Sequence, residues 1–184
     1  MRLLKPAEVG VDWVFGYGSL IWDPEFDYVR SELARLHGYH RAFCVRSTLY
    51  RGTPESPGIV LGLERGGSCT GMAFQLSAAQ RARSIERVFD REIPREAARV
   101  YLPRVVRVHL RSGVSIQALT FVADHLASAY VRLSDGEILA RMTRSHGARG
   151  PNVDYLFNTL RALEAHGVHD RMLTRLARLL ARES

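Results

Sequence analysis

Two glycines and a serine interrupt an apolar run near the start of the chain, in Val14-Phe15-Gly16-Tyr17-Gly18-Ser19-Leu20-Ile21-Trp22. Glycines at such a break let the backbone turn sharply and expose successive N–H groups. Exposed N–H groups in sequence form a concavity that holds a carboxylate or phosphate. Residues Phe15 to Leu20 therefore predict an anion cradle at the end of a first strand, although an unliganded glycine turn accounts for the letters equally well. Ser19 reads as a hydrogen-bonding ligand rather than a nucleophile. A nucleophile elbow needs serine at position 18 and glycine at 20, and Leu20 stands there. A dinucleotide fingerprint needs glycine at 21, where the chain has Ile21.

The second residue suited to chemistry is a carboxylate. Ala82, Ile85, Val88 and Phe89 recur at helical spacing and define an inward face, and Glu92 continues it while Glu86, Arg87 and Arg91 fall off it. Pro94 ends the helix just beyond. Partial burial and the negative end of the helix dipole both disfavour ionisation there, and a carboxylate so placed is a better general base. A structural ion pair with Arg91 or Arg95 is the competing explanation for Glu92. Glu96 is the fallback carboxylate.

These groups need elements to position them. Val11–Tyr17, Tyr39–Thr48, Ile59–Leu63 and Thr70–Leu76 are rich in strand formers and bounded by turn signals such as Arg51-Gly52-Thr53-Pro54 and Arg65-Gly66-Gly67-Ser68. Val105–Leu110 and Ser115–Val122 alternate and are joined around Arg111-Ser112-Gly113 as a hairpin. Ser77 to Gln80 and Ser134 to Glu137 read as capping boxes that open helices. Gly150-Pro151-Asn152 starts a further helix ending near Gly167, and an arginine-rich amphipathic helix with a solvated charged face closes the chain. Strands first and helices later predict an α+β domain, a curled sheet or barrel with flanking helices.

A chain of 184 residues fits one domain, residues 1–184, and 46% hydrophobic content is ordinary for a protein that buries a core. No apolar run approaches the roughly 20 residues that span a bilayer, and the N-terminus lacks a signal segment, so a cytoplasmic location is expected. The net charge of +7 comes from arginines spread along the chain, without the clustering and aromatic interleaving of nucleic-acid binders, so no nucleic-acid partner is expected. Cys44 and Cys69 form no close motif and read as reduced thiols packed in strands. His37 and His40 are three apart and would face opposite sides of a strand, which argues against a metal pair. Arg51 reads either as a contact for a substrate's second carboxylate or as a solvated turn residue. Tyr155 sits among the apolar Leu156 and Phe157 and reads as core packing on these grounds alone.

The Phe15–Trp22 string, Arg51-Gly52-Thr53-Pro54 with Pro57-Gly58, Asp90-Arg91-Glu92, and Asn152 with Tyr155-Leu156-Phe157 occur in that order, and together they resemble the ChaC family of γ-glutamylcyclotransferases. The resemblance runs from about Trp13 to the last helices. It implies a compact mixed β-barrel with helices around it and a small-molecule substrate, glutathione, cleaved to 5-oxoproline and cysteinylglycine without cofactor or metal. It implies a substrate cradle at Phe15, Gly16, Tyr17, Gly18, Ser19 and Leu20, Glu92 as the catalytic glutamate, and Arg51 and Tyr155 as site residues. The chain departs from the family pattern after Glu92, where residues 93–100 carry no glycine before Tyr101-Leu102-Pro103. That departure keeps in view the same cyclisation on another γ-glutamyl amino acid or amine; a non-catalytic binder of acidic metabolites that retains the cradle is an alternative of a different class.

Overall fold

A computed structural model describes residues 3–93 and 100–183. Five strands close into a barrel in the order β1-β3-β2-β4-β5. They are β1 (Trp13–Gly16), β2 (Tyr28–Ser47), β3 (Gly58–Leu76), β4 (Tyr101–Leu110) and β5 (Ser115–Ala123). All pairings are antiparallel except β1 with β5, a parallel contact at Val14 and Leu119 that closes the ring. The barrel is therefore mixed, and helices α1 (Arg81–Glu92), α2 (Asp135–Arg144), α3 (Asn152–Ala165) and α4 (Arg171–Glu183) surround it. A two-residue pair, β6 (His146–Gly147) and β7 (Gly150–Pro151), precedes α3. The α+β class with a barrel and flanking helices is what the strand-then-helix order implied, and the mixed barrel is what the family resemblance implied.

Two expectations are corrected in the sheet. The glycine pair at 66–67 is not a chain reversal, because β3 runs straight through it. Tyr39 pairs with Arg65 and His37 with Ser68, so β3 carries one residue more than β2 across this step. Gly66 and Gly67 absorb the extra residue as a bulge, with φ of +94° and +68°, opposite Gly38 at φ +83°. The strand β2 also begins at Tyr28 rather than Tyr39, with a first half that is mostly exposed and so lacks an apolar signature. The hairpin at Arg111 to Gly113 forms as expected, with Gly113 at φ +91°.

The helices hold one correction. Ser77 caps nothing with its side chain: its carbonyl accepts the Gln80 N–H at 3.1 Å in a turn, and α1 starts only at Arg81. Ala82 consequently faces solvent, and Ser84 takes the inward place, donating its hydroxyl to the Asp27 carbonyl at 3.1 Å. Ile85, Val88 and Phe89 are buried as expected. The Ser134–Glu137 box does form, with the Ser134 N–H donating to Glu137 Oε2 at 2.7 Å. At α4, Asp170 Oδ1 accepts the N–H groups of Met172 and Leu173 at 3.1 Å each.

Burial divides between two clusters. Helices α2, α3 and α4 pack Met142, Leu156, Leu163, Leu173 and Leu176 with Phe15, Leu36, Ile59, Leu61 and Leu63 of the barrel. Helix α1 packs Ile85, Val88 and Phe89 with Val14, Phe74, Leu119 and Phe121, the Phe89 and Phe121 rings meeting edge to face at 5.3 Å. Each such side chain contributes about 1.5–3 kcal/mol of burial. Cys44 in β2 and Cys69 in β3 are free and buried. Among the described residues, no three His, Cys, Asp or Glu side chains are grouped as a metal site, and no helix is long and apolar enough to cross a membrane.

Candidate active site

The end of β1 turns into the barrel mouth through one tight glycine contact. Gly18 has φ −130° and ψ −127°, and a Cβ built on it would lie 2.5 Å from the Tyr155 hydroxyl. Only a residue without a side chain lets Tyr155 reach this backbone. Ser19 to Ile21 then form a single 3-10 turn. The N–H groups of Ile21 and Trp22 are taken inside the turn, by Gly18 O at 3.0 Å and Ser19 O at 3.2 Å. The cradle therefore comes down to Gly18, Ser19 and Leu20. Gly16 is placed differently from the expectation: it does not line the cavity, and a Cβ on it would press the Leu20 Cβ at 2.8 Å, so its part is close packing behind the cradle.

Two anchors fix the cradle from behind. Arg41, buried in β2, donates from Nε to the Tyr17 carbonyl at 2.7 Å, from Nη2 to Thr70 O at 2.6 Å, and from Nη1 to Asp170 at 2.5 Å. The Tyr17 hydroxyl donates to the Phe121 carbonyl at 2.8 Å. Burial, with Tyr101 and Glu92 nearby, pushes the Tyr17 phenol well above its ordinary range.

Glu92 is the last residue of α1, and its side chain is 14% exposed. Burial pushes its carboxyl above the usual carboxylate range, against the opposing pull of Arg91 and Arg149. Arg91 Nε lies 3.6 Å from Glu92 Oε1, within ion-pair range but longer than a good hydrogen bond. Its better contacts are elsewhere: Nη2 donates to Ser19 Oγ at 3.0 Å, and Nη1 to the Asp23 carbonyl at 2.5 Å and Glu25 Oε2 at 2.6 Å. The expected ion pair with Arg91 is thus present but secondary, and burial wins. Arg95 and Glu96 lie outside the described residues.

Glu25 has a left-handed backbone, φ +58°, unusual for a non-glycine residue. Hydrogen bonding to Arg149, with the charge of Arg91 beside it, holds its carboxyl below the usual range. Arg149 also pairs with Asp23 Oδ2 at 3.0 Å and stacks its guanidinium 4.7 Å over the Tyr50 ring. Two arginines and two carboxylates therefore tie the end of α1 to the loop after the cradle and to the turn before α3.

Arg51 is buried, not a solvated turn residue. It lies 5.7 Å over the Trp22 ring and 5.8 Å over the Tyr155 ring, and Nη1 donates to the Pro151 carbonyl at 3.1 Å. Burial lowers the pKa of its guanidinium, and among the described residues it has no ion-pair partner. Tyr155 is buried on α3, and burial together with the charge of Glu92 raises its phenol. Its hydroxyl meets Gly18, so it belongs to the site as well as to the core. The start of β3, just after the loop carrying Arg51, is held by Asn152, whose amide accepts the Ile59 N–H at 2.7 Å and donates to the Ile59 carbonyl at 2.8 Å.

These residues enclose a cavity of about 170 Å³. Phe15, Tyr17, Gly18, Ser19, Leu20, Arg51, Glu92 and Tyr155 all line it. Sequence reasoning missed Tyr101, Arg46, Arg91 and Arg149, which line it too. Tyr101 opens the Tyr-Leu-Pro string and donates to the Leu61 carbonyl at 2.7 Å. Arg91 carried a signal in its adjacency to Glu92, whereas Arg46 and Arg149 carried none. The arrangement offers backbone donors for an anion, a buried cation beside them, and a largely buried proton acceptor along one cavity.

The family described as ChaC-like protein matches residues 12–183. A glutathione-specific γ-glutamylcyclotransferase of Escherichia coli is 34% identical over 167 residues, covering 90% of this chain and 71% of the relative. A glutathione-specific γ-glutamylcyclotransferase 1 of Danio rerio is 36% identical over 162 residues, covering 83% of this chain and 81% of the relative. A solved γ-glutamyl cyclotransferase from yeast, specific to glutathione, superposes with a TM-score of 0.84 at 23% identity, over 92% of this chain and 95% of that one. This last likeness is one of fold.

Proposed function

The chain belongs to the ChaC-like family, and from that premise we propose that it is a γ-glutamylcyclotransferase that cleaves glutathione to 5-oxoproline and cysteinylglycine. The observation that carries the reading is a single cavity shared by the Gly18–Leu20 turn and the largely buried carboxylate of Glu92. A pure binder of acidic metabolites would gain nothing from a carboxylate set beside its anion cradle.

The α-carboxylate of the γ-glutamyl group sits against the N–H groups of the turn, with Arg51 as the nearby cation. Arg91 already fills one lone pair of Ser19 Oγ, so the Ser19 hydroxyl proton is directed away from Arg91 and toward the substrate. Anchoring the carboxylate brings the α-amine onto its own γ-carbonyl, an intramolecular attack favoured by orientation. The amine arrives protonated and cannot attack in that state. Glu92, with its raised proton affinity, takes the proton. The nitrogen then bonds to the γ-carbonyl carbon, Glu92 passes its proton to the cysteine nitrogen as the C–N bond to cysteine breaks, and the second proton of the ring nitrogen follows through the same carboxylate to the released amine. The transient oxyanion needs donors. The Tyr17 hydroxyl is committed to Phe121, so that task falls to the turn N–H groups and Tyr155.

The test is 5-oxoproline release from glutathione and from γ-glutamylalanine by the purified protein. Product from glutathione in clear preference supports the reading. Product only from γ-glutamylalanine would keep the cyclisation and change the substrate, and no product from either would sink it.

A further inference from the structure

A cyclase that holds glutathione by its γ-glutamyl end leaves the other end, a glycine carboxylate, to be placed. A second anion needs a second cation in the wall. Four arginines line the cavity: Arg46, Arg51, Arg91 and Arg149. Arg91 and Arg149 are already matched to Asp23 and Glu25. Arg51 lies against Trp22 and Tyr155, and Tyr155 is the residue that meets Gly18, so Arg51 belongs to the cradle end.

Arg46 is different. It stands near the end of β2, half-buried, with its backbone N–H donating to Ala129 O at 2.8 Å. Its Nη2 reaches the Ser128 carbonyl only at 3.3 Å, a long contact. Its Nε is shut from solvent and has no hydrogen-bond partner. Among the described residues it forms no ion pair. Buried polar atoms are nearly always paired, so the orphan Nε marks a guanidinium that this wall does not satisfy. The two Nη groups of a guanidinium form a flat fork that matches the two oxygens of a carboxylate, and at Arg46 that fork is held only by the long Ser128 contact. Ser128 and Ala129, which carry the backbone partners of Arg46, line the same wall and contribute nothing to the cradle.

We propose that Arg46 receives the terminal carboxylate of the departing peptide and so selects γ-glutamyl peptides with a free C-terminus over γ-glutamyl amines. This inference rests on the cyclotransferase reading above. It makes Arg46 a specificity residue with no part in proton transfer.

The test compares kcat/KM for glutathione with that for glutathione esterified with ethanol at its glycine carboxyl, in the unaltered protein, Arg46→Met and Arg46→Lys. The glutathione-to-ester ratio is expected to fall roughly tenfold to a hundredfold in Arg46→Met, mostly through KM. Arg46→Lys, which keeps the charge without the fork, should recover part of it. The ratio discounts any general damage to folding. An unchanged ratio would overturn the subsite while leaving the cyclisation standing. No product from either substrate with the unaltered protein would overturn the cyclisation and the subsite together.

Discussion

The Tyr155 hydroxyl lies where a side chain on Gly18 would have to be: a Cβ built there would sit 2.5 Å from that oxygen, while the ring carbon behind it stays at 3.6 Å. Helix α3 is thereby keyed to the cradle turn through one missing methyl group and one hydroxyl, although the two residues are far apart in the chain.

Removing either half of that key has a calculable consequence. Gly18→Ala is expected to displace the turn or the ring, to lower kcat/KM about 10²-fold, and to destabilise by about 1–3 kcal/mol as an overpacked site. Tyr155→Phe removes the clashing oxygen, so the double variant should be more stable than Gly18→Ala alone. Urea denaturation of the four proteins of this cycle measures the coupling. Purely additive effects would show that the contact is not the reason for the glycine.

Arg51 is expected to act on substrate affinity more than on folding. It is buried with no carboxylate partner among the described residues, and its guanidinium is held by two aromatic faces and one carbonyl. Arg51→Met should raise KM for glutathione roughly tenfold to a hundredfold while moving the thermal midpoint by only a few degrees. Steady-state kinetics beside calorimetric melting separates the two. A large loss of stability with KM unchanged would make Arg51 a structural residue.

Asn152 should behave in the opposite way. Its amide completes both backbone groups of Ile59 in a fully buried place. Asn152→Ala strips both partners, and about 2–4 kcal/mol of stability is expected to go with them. Chemical denaturation reads this directly. A loss below about 1 kcal/mol would mean that water enters and replaces the amide.

Glu92 carries a stability signature of its own. Its carboxyl titrates higher in the folded protein than in the unfolded chain. Such a group favours folding below the unfolded value, and its contribution is lost as pH rises through the folded one. Glu92→Gln should therefore raise the melting temperature at about pH 7 and leave it nearly unchanged below about pH 4. Paired melts across that range check the sign, and a variant less stable at neutral pH would show that the charged carboxylate is well satisfied.

The parts of this site readable from the letters were those encoded locally. The cradle string announces itself by glycines breaking an apolar run, and Glu92 by its place on an apolar helical stripe. The rest depends on partners remote in the chain. Arg41 supports Tyr17 from β2 and pairs with Asp170, 129 residues away. Arg149 is one arginine among many until the fold sets it against Asp23 and Glu25. Gly66 and Gly67 look like a reversal because their positive φ serves turns and bulges alike, and only the pairing with β2 on both sides distinguishes them. The first half of β2 was invisible because its exposed residues carry no apolar pattern, and its strand state is imposed by β3.

The central claim is that Glu92 carries the amine proton, and Glu92→Gln tests it most directly because glutamine keeps the shape and removes the acceptor. Single-turnover formation of 5-oxoproline from glutathione should fall about 10²- to 10⁴-fold in the variant, with calorimetric affinity for glutathione changed by less than about tenfold. A variant that turns over glutathione within about tenfold of the parent rate would contradict the account.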